Sequence, residues 1–299
     1  MRTESGSTTV DQWTSATPLR VWITGAGGLI GNALLQSASS SVPGWQVYGT
    51  TRHQVDLTDA RAVRKTFQTI QPDVIIHCAA LTKTATCDLD PAQARTINVD
   101  MTERLLELAD KIRFVFFSTD LVFDGRAGYY DETADINPLS VYGETKVQAE
   151  RLVLMNPQHT VIRTSLNGGS SPTGDRGFNE ELRRAWEAGQ TVNLFTDEFR
   201  CPISARVTVR ALWELIEQNH TGLYHIAGTE RLSRWQIGQL LAPRSSELNP
   251  KLEPASRLTY TGPPRPADTS LNCAKAQQLL LFPLPGLTEW LTANPEEIF

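Results

Sequence analysis

Tyr142 and Lys146 stand four residues apart in the run YGETK, a spacing that puts a phenol and an ammonium on one face of a helix, one turn from each other. A free tyrosine, with a pKa of about 10, is a poor proton donor or acceptor at neutral pH. A cation beside it favours the phenolate, and a shift of about three units needs on the order of 4 kcal/mol of interaction. The expectation is therefore that Lys146 pulls the phenol down. Such a pair is common on solvated helices, and its position is what distinguishes this one. The apolar run RFVFFST at 113–119 reads as a strand ending in Ser118 and Thr119 shortly before that helix. Ligands of open α/β sheets lie at the carboxyl ends of the strands, where a Thr119 hydroxyl can bond a substrate oxygen alongside Tyr142 or simply cap the strand end.

A second constellation lies near the start of the chain. TGAGGLIG places Gly25, Gly28 and Gly31 between a strand at 20–24 and a helix opening at Leu29 and Ile30. A tight turn needs positive φ, a pyrophosphate needs backbone amides with no side chain in the way, and the helix must approach the strand closely. The free amides of the helix start then favour phosphate. The second strand, WQVYGT at 45–50, runs into Thr51 and Arg52 with no carboxylate to accept ribose hydroxyls, so NADP(H) is expected as cofactor with NAD as the alternative. Asp56 and Leu57 follow, the former as an adenine contact or a turn residue.

These sites need a scaffold, and the sequence supplies an alternating one. The expected fold class is α/β: a Rossmann-type doubly wound parallel sheet with a smaller C-terminal α/β substrate-binding region. After the first two strands, Thr58 can cap a helix striped by Val63, Phe67 and Ile70. DVIIHCAA at 73–80 reads as a strand covered on both faces. A helix follows with Met101, Leu105, Leu108 and Ile112, then the 113–119 strand, a helix at 141–155 and a strand at 160–165. Residues 168–177 are an irregular Gly- and Pro-containing segment. Helices at about 178–188 and 206–218 and strands near 191–195 and 222–228 come next. The expected division is a flexible tail over 1–18, an NADP-binding domain over 19–165 to which segments of about 191–228 return, and a mainly substrate-binding region over 166–299.

Composition bounds the function. The 299 residues are 40% hydrophobic and 20% charged, with a net charge of -5 and no long basic run, so neither nucleic acid nor an anionic membrane is an expected partner. No stretch approaches the roughly 20 apolar residues of a membrane span. Four scattered cysteines suit reduced thiols in a cytoplasm. No histidine stands at metal-ligand spacing, so no metal is expected.

TGAGGLIG, HCAA at 77–80, STDLVFDG at 118–125, YGETK and RPADTSLNCAKA at 265–276 together resemble the extended short-chain dehydrogenase/reductase superfamily. Within it the chain is most similar to the branch holding dTDP-4-dehydrorhamnose reductase and the methionine adenosyltransferase beta subunit, over nearly all of residues 19–291. The resemblance implies Thr119, Tyr142 and Lys146 as the catalytic trio, Ala79 and Ala80 beside the cofactor, and a C-terminal region covering a nucleotide-linked sugar. It further implies that NADPH delivers hydride to a 4-keto sugar while Tyr142 gives the proton and Lys146 holds the ribose. Related dehydratases carry a Glu after the Asp that follows the threonine; here that place is Leu121, and Asp120 stays a candidate substrate contact. Leu166 replaces a typical aromatic residue and Arg200 a typical glycine. Arg200 and Arg265 are the candidates to grip a diphosphate. Two other readings stand: a non-catalytic NADP-binding regulatory subunit like the adenosyltransferase beta subunit, and a sugar-nucleotide epimerase. A homodimer is allowed.

Overall fold

The computed structural model describes residues 18–299; the tail expected over 1–18 lies, but for Pro18, outside the described residues. Six parallel strands make the central sheet: β1 Arg20–Thr24, β2 Gln46–Thr50, β3 Val74–His77, β4 Arg113–Thr119, β5 Thr160–Thr164 and, from much later in the chain, Gly222–Ile226. Their order across the sheet is β2-β1-β3-β4-β5 followed by the Gly222–Ile226 strand. The chain reverses its winding between β1 and β3, the point at which open sheets of this kind take ligands, at the carboxyl ends of the strands.

The sheet is apolar through its middle because helices cover both faces. On one face Val21, Ile23, Ile76, Val115 and Ile162 pack against Leu34 of α1 (Leu29–Ser41) and against Leu212 and Trp213 of a later helix, Ala205–Glu217. On the other, Trp22, Ile75, Phe114 and Phe116 pack against Val63 of α2 (Ala60–Ile70). Further along that face they meet Leu105 of the helix Met101–Leu108, and Ala149 and Val153 of the helix Val141–Leu154.

Between β3 and β4 the chain does more than the periodicity foretold. It forms α3 (Thr84–Leu89), α4 (Pro91–Arg95), a π-helical turn over Thr96–Asp100, and only then α5 (Met101–Leu108). Ile112 therefore lies in the turn before β4 rather than on the helix. The cap of α2 is also one residue later than expected. Asp59 accepts from the amides of Arg61 and Ala62 at 2.8 and 3.3 Å, while Thr58 bonds back to Asp56. A carboxylate satisfies two of the orphan amides and suits the positive helix end, so it displaces the hydroxyl.

After β4 come α6 (Val141–Leu154), β5, β6 (Asn167–Gly168), α7 (Phe178–Glu187), β7 (Thr191–Phe195), β8 (Phe199–Arg200), β9 (Ile203–Ser204), α8 (Ala205–Glu217) and β10 (Gly222–Ile226). The return of residues 191–228 to the sheet is narrower than expected. β10 pairs with β5 and α8 packs on the sheet, but β7 pairs in parallel with β12 (Lys251–Ala255) in a separate two-stranded sheet. β7 goes there because Leu194 belongs to another core, shared with Leu182 and Trp186 of α7 and with Ile237 and Leu241 of α9 (Arg234–Leu241). Among the described residues no helix is long and apolar enough to cross a membrane.

Candidate active site

The glycine turn is built as a cradle. Gly25 has φ +72°, and a Cβ there would come within 2.5 Å of the Ala79 amide nitrogen at the end of β3. Only glycine meets both demands. The Gly28 amide bonds to the Gly25 carbonyl at 2.9 Å, and Gly31 backs onto the same carbonyl. Gly28 is the N-cap of α1 and gives no side-chain cap, so the first amides, at Leu29 and Ile30, have no capping side chain. Bare amides, a positive helix end and a turn too tight for a Cβ at Gly25 or Gly31 together fit a dinucleotide pyrophosphate. Ala79 sits directly beside the turn, with Ala80 next along the chain, both half-buried.

At the end of β2, Thr51 lies next to the turn, its methyl 3.6 Å from a Cβ placed on Gly27, while its amide and hydroxyl bond to Gln54. Arg52 is exposed, and its charge helps lower the carboxyl pKa of nearby Asp56. Asp56 is occupied as a turn residue: it accepts from the Thr58 amide and hydroxyl at 2.9 and 2.8 Å, bonds that lower its pKa. Leu57 is buried in the core beneath it.

Tyr142 and Lys146 both lie on α6, whose first turn is fixed from two sides. Ser140 caps it through the Gly143 amide at 3.2 Å, and Asp88 of α3 accepts from the Val141 amide at 3.0 Å. Gly143 lets the helix touch the turn that follows β4, since a Cβ there would be 2.5 Å from the Leu121 carbonyl oxygen. That contact brings the Tyr142 phenol beside the Thr119 hydroxyl, which lowers the phenol's pKa. The Thr119 oxygen accepts from the Leu121 amide at 3.2 Å, the capping role expected for it.

The electrostatics differ from the expectation. Burial raises the Tyr142 pKa well above that of a free phenol; the Thr119 hydroxyl opposes this, and Asp120 adds to it. Lys146 is not what sets that phenol. Its own side chain is 2% exposed, with the amine 3.9 Å from the centroid of the Phe116 ring, and burial lowers it to about 7 against the opposing pull of Glu150 and Cys78. The site thus holds a protonated phenol beside an amine that titrates near neutrality.

Three candidate substrate contacts are engaged elsewhere. Arg200 holds Asp120 with both edges of its fork, Nε to Oδ2 at 2.5 Å and Nη2 to Oδ1, and Ser165 and Thr269 complete the carboxylate at 2.7 and 3.2 Å. Both partners are buried, so neither Asp120 nor Arg200 is a free ligand group: a buried charge is held by its counter-ion. Arg265 grips Glu198, which also receives Arg234 at 2.9 Å and has Arg200 at 3.9 Å. Burial alone would raise the Glu198 carboxyl, but Arg234 and Arg265 hold it at about 2. Arg265 stays half-buried beside Phe195 and Tyr260.

Asn98 escaped the sequence reading. From the π-helical turn its side chain bonds both backbone groups of Leu81, at 2.8 and 3.0 Å, and the Thr145 hydroxyl at 3.0 Å. It thereby ties the chain after Ala79 and Ala80 to the helix turn between Tyr142 and Lys146. A π-turn has no periodicity of its own to betray it.

The chain is similar to several known proteins. A probable low-salt glycan biosynthesis reductase, Agl14, of Haloferax volcanii is 30% identical over 73% of this chain and 77% of its own length. The methionine adenosyltransferase 2 subunit beta of Xenopus laevis is 27% identical over 87% of this chain and 82% of its own. The crystal structure of dTDP-4-dehydrorhamnose reductase from Bacillus anthracis, solved in complex with NADP, has the same fold. It superposes with a TM-score of 0.83 at 24% identity, covering 93% of this chain and 98% of that one. The family model described as the RmlD substrate binding domain matches residues 19–297, and the chain therefore belongs to that family, within the extended short-chain dehydrogenase/reductases.

Proposed function

We propose that this protein, an NAD(P)-dependent oxidoreductase of the extended short-chain dehydrogenase/reductase type, reduces the 4-keto carbon of a nucleotide-linked sugar with NADPH. The observation that carries the reading is the Tyr142 phenol, held beside Thr119 at the carboxyl edge of β4 and kept protonated by burial. A reductase needs a proton donor there.

Bound NADPH supplies the hydride. The chain's own groups supply the rest. Gly25, Gly28, Gly31 and the amides of Leu29 and Ile30 hold the pyrophosphate, with Thr51, Arg52, Ala79 and Ala80 around the nucleoside ends. Arg52, just past the end of β2, where no carboxylate stands to take the ribose hydroxyls, favours NADP over NAD. Thr119 and Tyr142 bond the keto oxygen, and the proton on the Tyr142 oxygen passes to it as the alcohol forms. Lys146 holds the ribose and, when charged, eases loss of that proton from Tyr142.

For the rest of the substrate, Arg234 and Arg265 share a single carboxylate at Glu198, leaving surplus positive charge for a diphosphate beside the aromatic rings of Phe195 and Tyr260. The partner is a small molecule, in a cytoplasm that suits four unpaired thiols.

A second reading, a nucleotide-binding regulatory subunit without turnover, is supported by the adenosyltransferase beta subunits, similar over 87% of the chain. NADPH oxidation followed across a panel of nucleotide-linked 4-keto sugars separates the two. Turnover of one supports the reductase. Tight NADPH binding, no turnover of any, and co-purification with an adenosyltransferase establish the regulatory subunit instead.

A further inference from the structure

One turn beyond Lys146 on α6 stands Glu150, the neighbour that a helical lysine would ordinarily pair with. Both are buried, Lys146 at 2% and Glu150 at 1% exposure. They do not pair. Arg163 of β5 takes both carboxylate oxygens, Nε to Oε1 at 3.0 Å and Nη2 to Oε2 at 2.8 Å, while its remaining nitrogen faces His225 at 3.4 Å. The Lys146 amine rests instead on the Phe116 ring, 3.9 Å from its centroid. Arg163 is held there by the sheet, paired in register with Ser118 of β4 and His225 of β10, and it packs over the Phe123 ring.

We infer that Arg163 and Glu150 are positioning residues for Lys146: the guanidinium fork occupies both carboxylate oxygens, so the amine is kept out of an ion pair and left free for the dinucleotide site. The inference rests on the function proposed above only in the use it gives to that amine. A purely structural ion pair in a sheet-helix interface would be no better than apolar packing of the same volume. A pair one helical turn from the lysine also sets its charge state. The groups around Lys146 are Glu150 and Tyr142 on its own helix, His77 and Cys78 at the end of β3, Phe116 on β4, and Arg163 on β5 through Glu150. Of the ionisable ones, burial and Lys146 itself hold His77 neutral, down to about 3, and burial keeps the Cys78 thiol protonated. Among the described residues Glu150 is thus the one anion against Lys146, and Arg163 decides how strongly that anion acts.

The test reads Lys146 directly. The full chain is labelled with [13Cε]lysine, its Lys146 signal is assigned with K146M, and the signal is titrated by NMR without cofactor, where the wild-type midpoint is expected at about 7. R163Q frees Glu150 to capture the amine and raises the midpoint by about one unit, a tenfold change in the ratio of charged to neutral amine. E150Q lowers it, and R163Q/E150Q brings it back below that of R163Q alone. Should R163Q fail to fold, R163K carries the same test, since one ammonium cannot occupy both oxygens. Midpoints in R163Q (or R163K) and E150Q that coincide with the wild type overturn the inference, whether or not the protein turns over a sugar. Shifted midpoints with no NADPH oxidation by the wild type uphold the positioning role and remove the reductase instead.

Discussion

Arg200 closes on Asp120, joining β8 to the turn after β4 by two parallel bonds between buried side chains. The pair links the sheet to the later part of the chain and leaves neither group available as a simple ligand. Taking away one partner strands a charge in a dry interior. R200L is therefore expected to lose about 3–5 kcal/mol in urea unfolding, and D120L/R200L to recover most of that loss. A loss in the double variant equal to the sum of the D120L and R200L losses would mean that the two side chains are not energetically coupled.

The glycine turn gives a sharper case. G25A puts a methyl against the Ala79 amide at 2.5 Å and forces an L-residue to φ +72°, a conformation costing roughly 1–2 kcal/mol by itself. Expected are a thermal midpoint lowered by several degrees and at least a tenfold weaker NADPH affinity by fluorescence titration. Undiminished affinity would show that the nucleotide does not use this turn.

Stability in acid follows from two buried imidazoles. Burial, with a nearby Lys146 or Arg163 charge, holds His77 and His225 at about 3, far below the 6.5 of the unfolded chain. Between those values the unfolded state binds more protons, so stability falls as pH drops below about 6.5, by about 2 kcal/mol for each imidazole at pH 5. Glu198 acts lower down: held at about 2 against its reference of 4.5, it contributes stability above 4.5 that is lost as pH falls toward 2. Lys146, depressed to about 7 from 10.5, acts on the other side, its penalty easing as pH rises through that interval. Urea unfolding at pH 7 and pH 5 checks the imidazoles. H77Q should lose about 2 kcal/mol less between the two than the wild type.

How much of this could be read beforehand depended on whether the cause was local. The strand RFVFFST was bounded correctly at both ends because a strand covered on both faces is a continuous apolar run stopped by polar residues. The Gly25 turn and the Tyr142 to Lys146 spacing were legible for the same reason: each is a short pattern with one geometric solution. What stayed hidden depended on residues far apart. Lys146 was expected to lower the phenol, but burial acts on both groups and is not written in a spacing of four. The pairing of Asp120 with Arg200, 80 positions apart, removed two candidate ligands at once. Thr58 lost the cap to its neighbour Asp59, a choice between adjacent acceptors that periodicity cannot make.

The central claim is that the Tyr142 phenol gives the proton in a reduction driven by NADPH. Its most direct test is the rate of NADPH oxidation by wild type and Y142F with the 4-keto sugar that the wild type accepts. The account predicts that kcat falls by a factor of at least about one hundred in Y142F, with NADPH affinity and the folded fraction unchanged. A Y142F protein that turns over at the wild-type rate would contradict it.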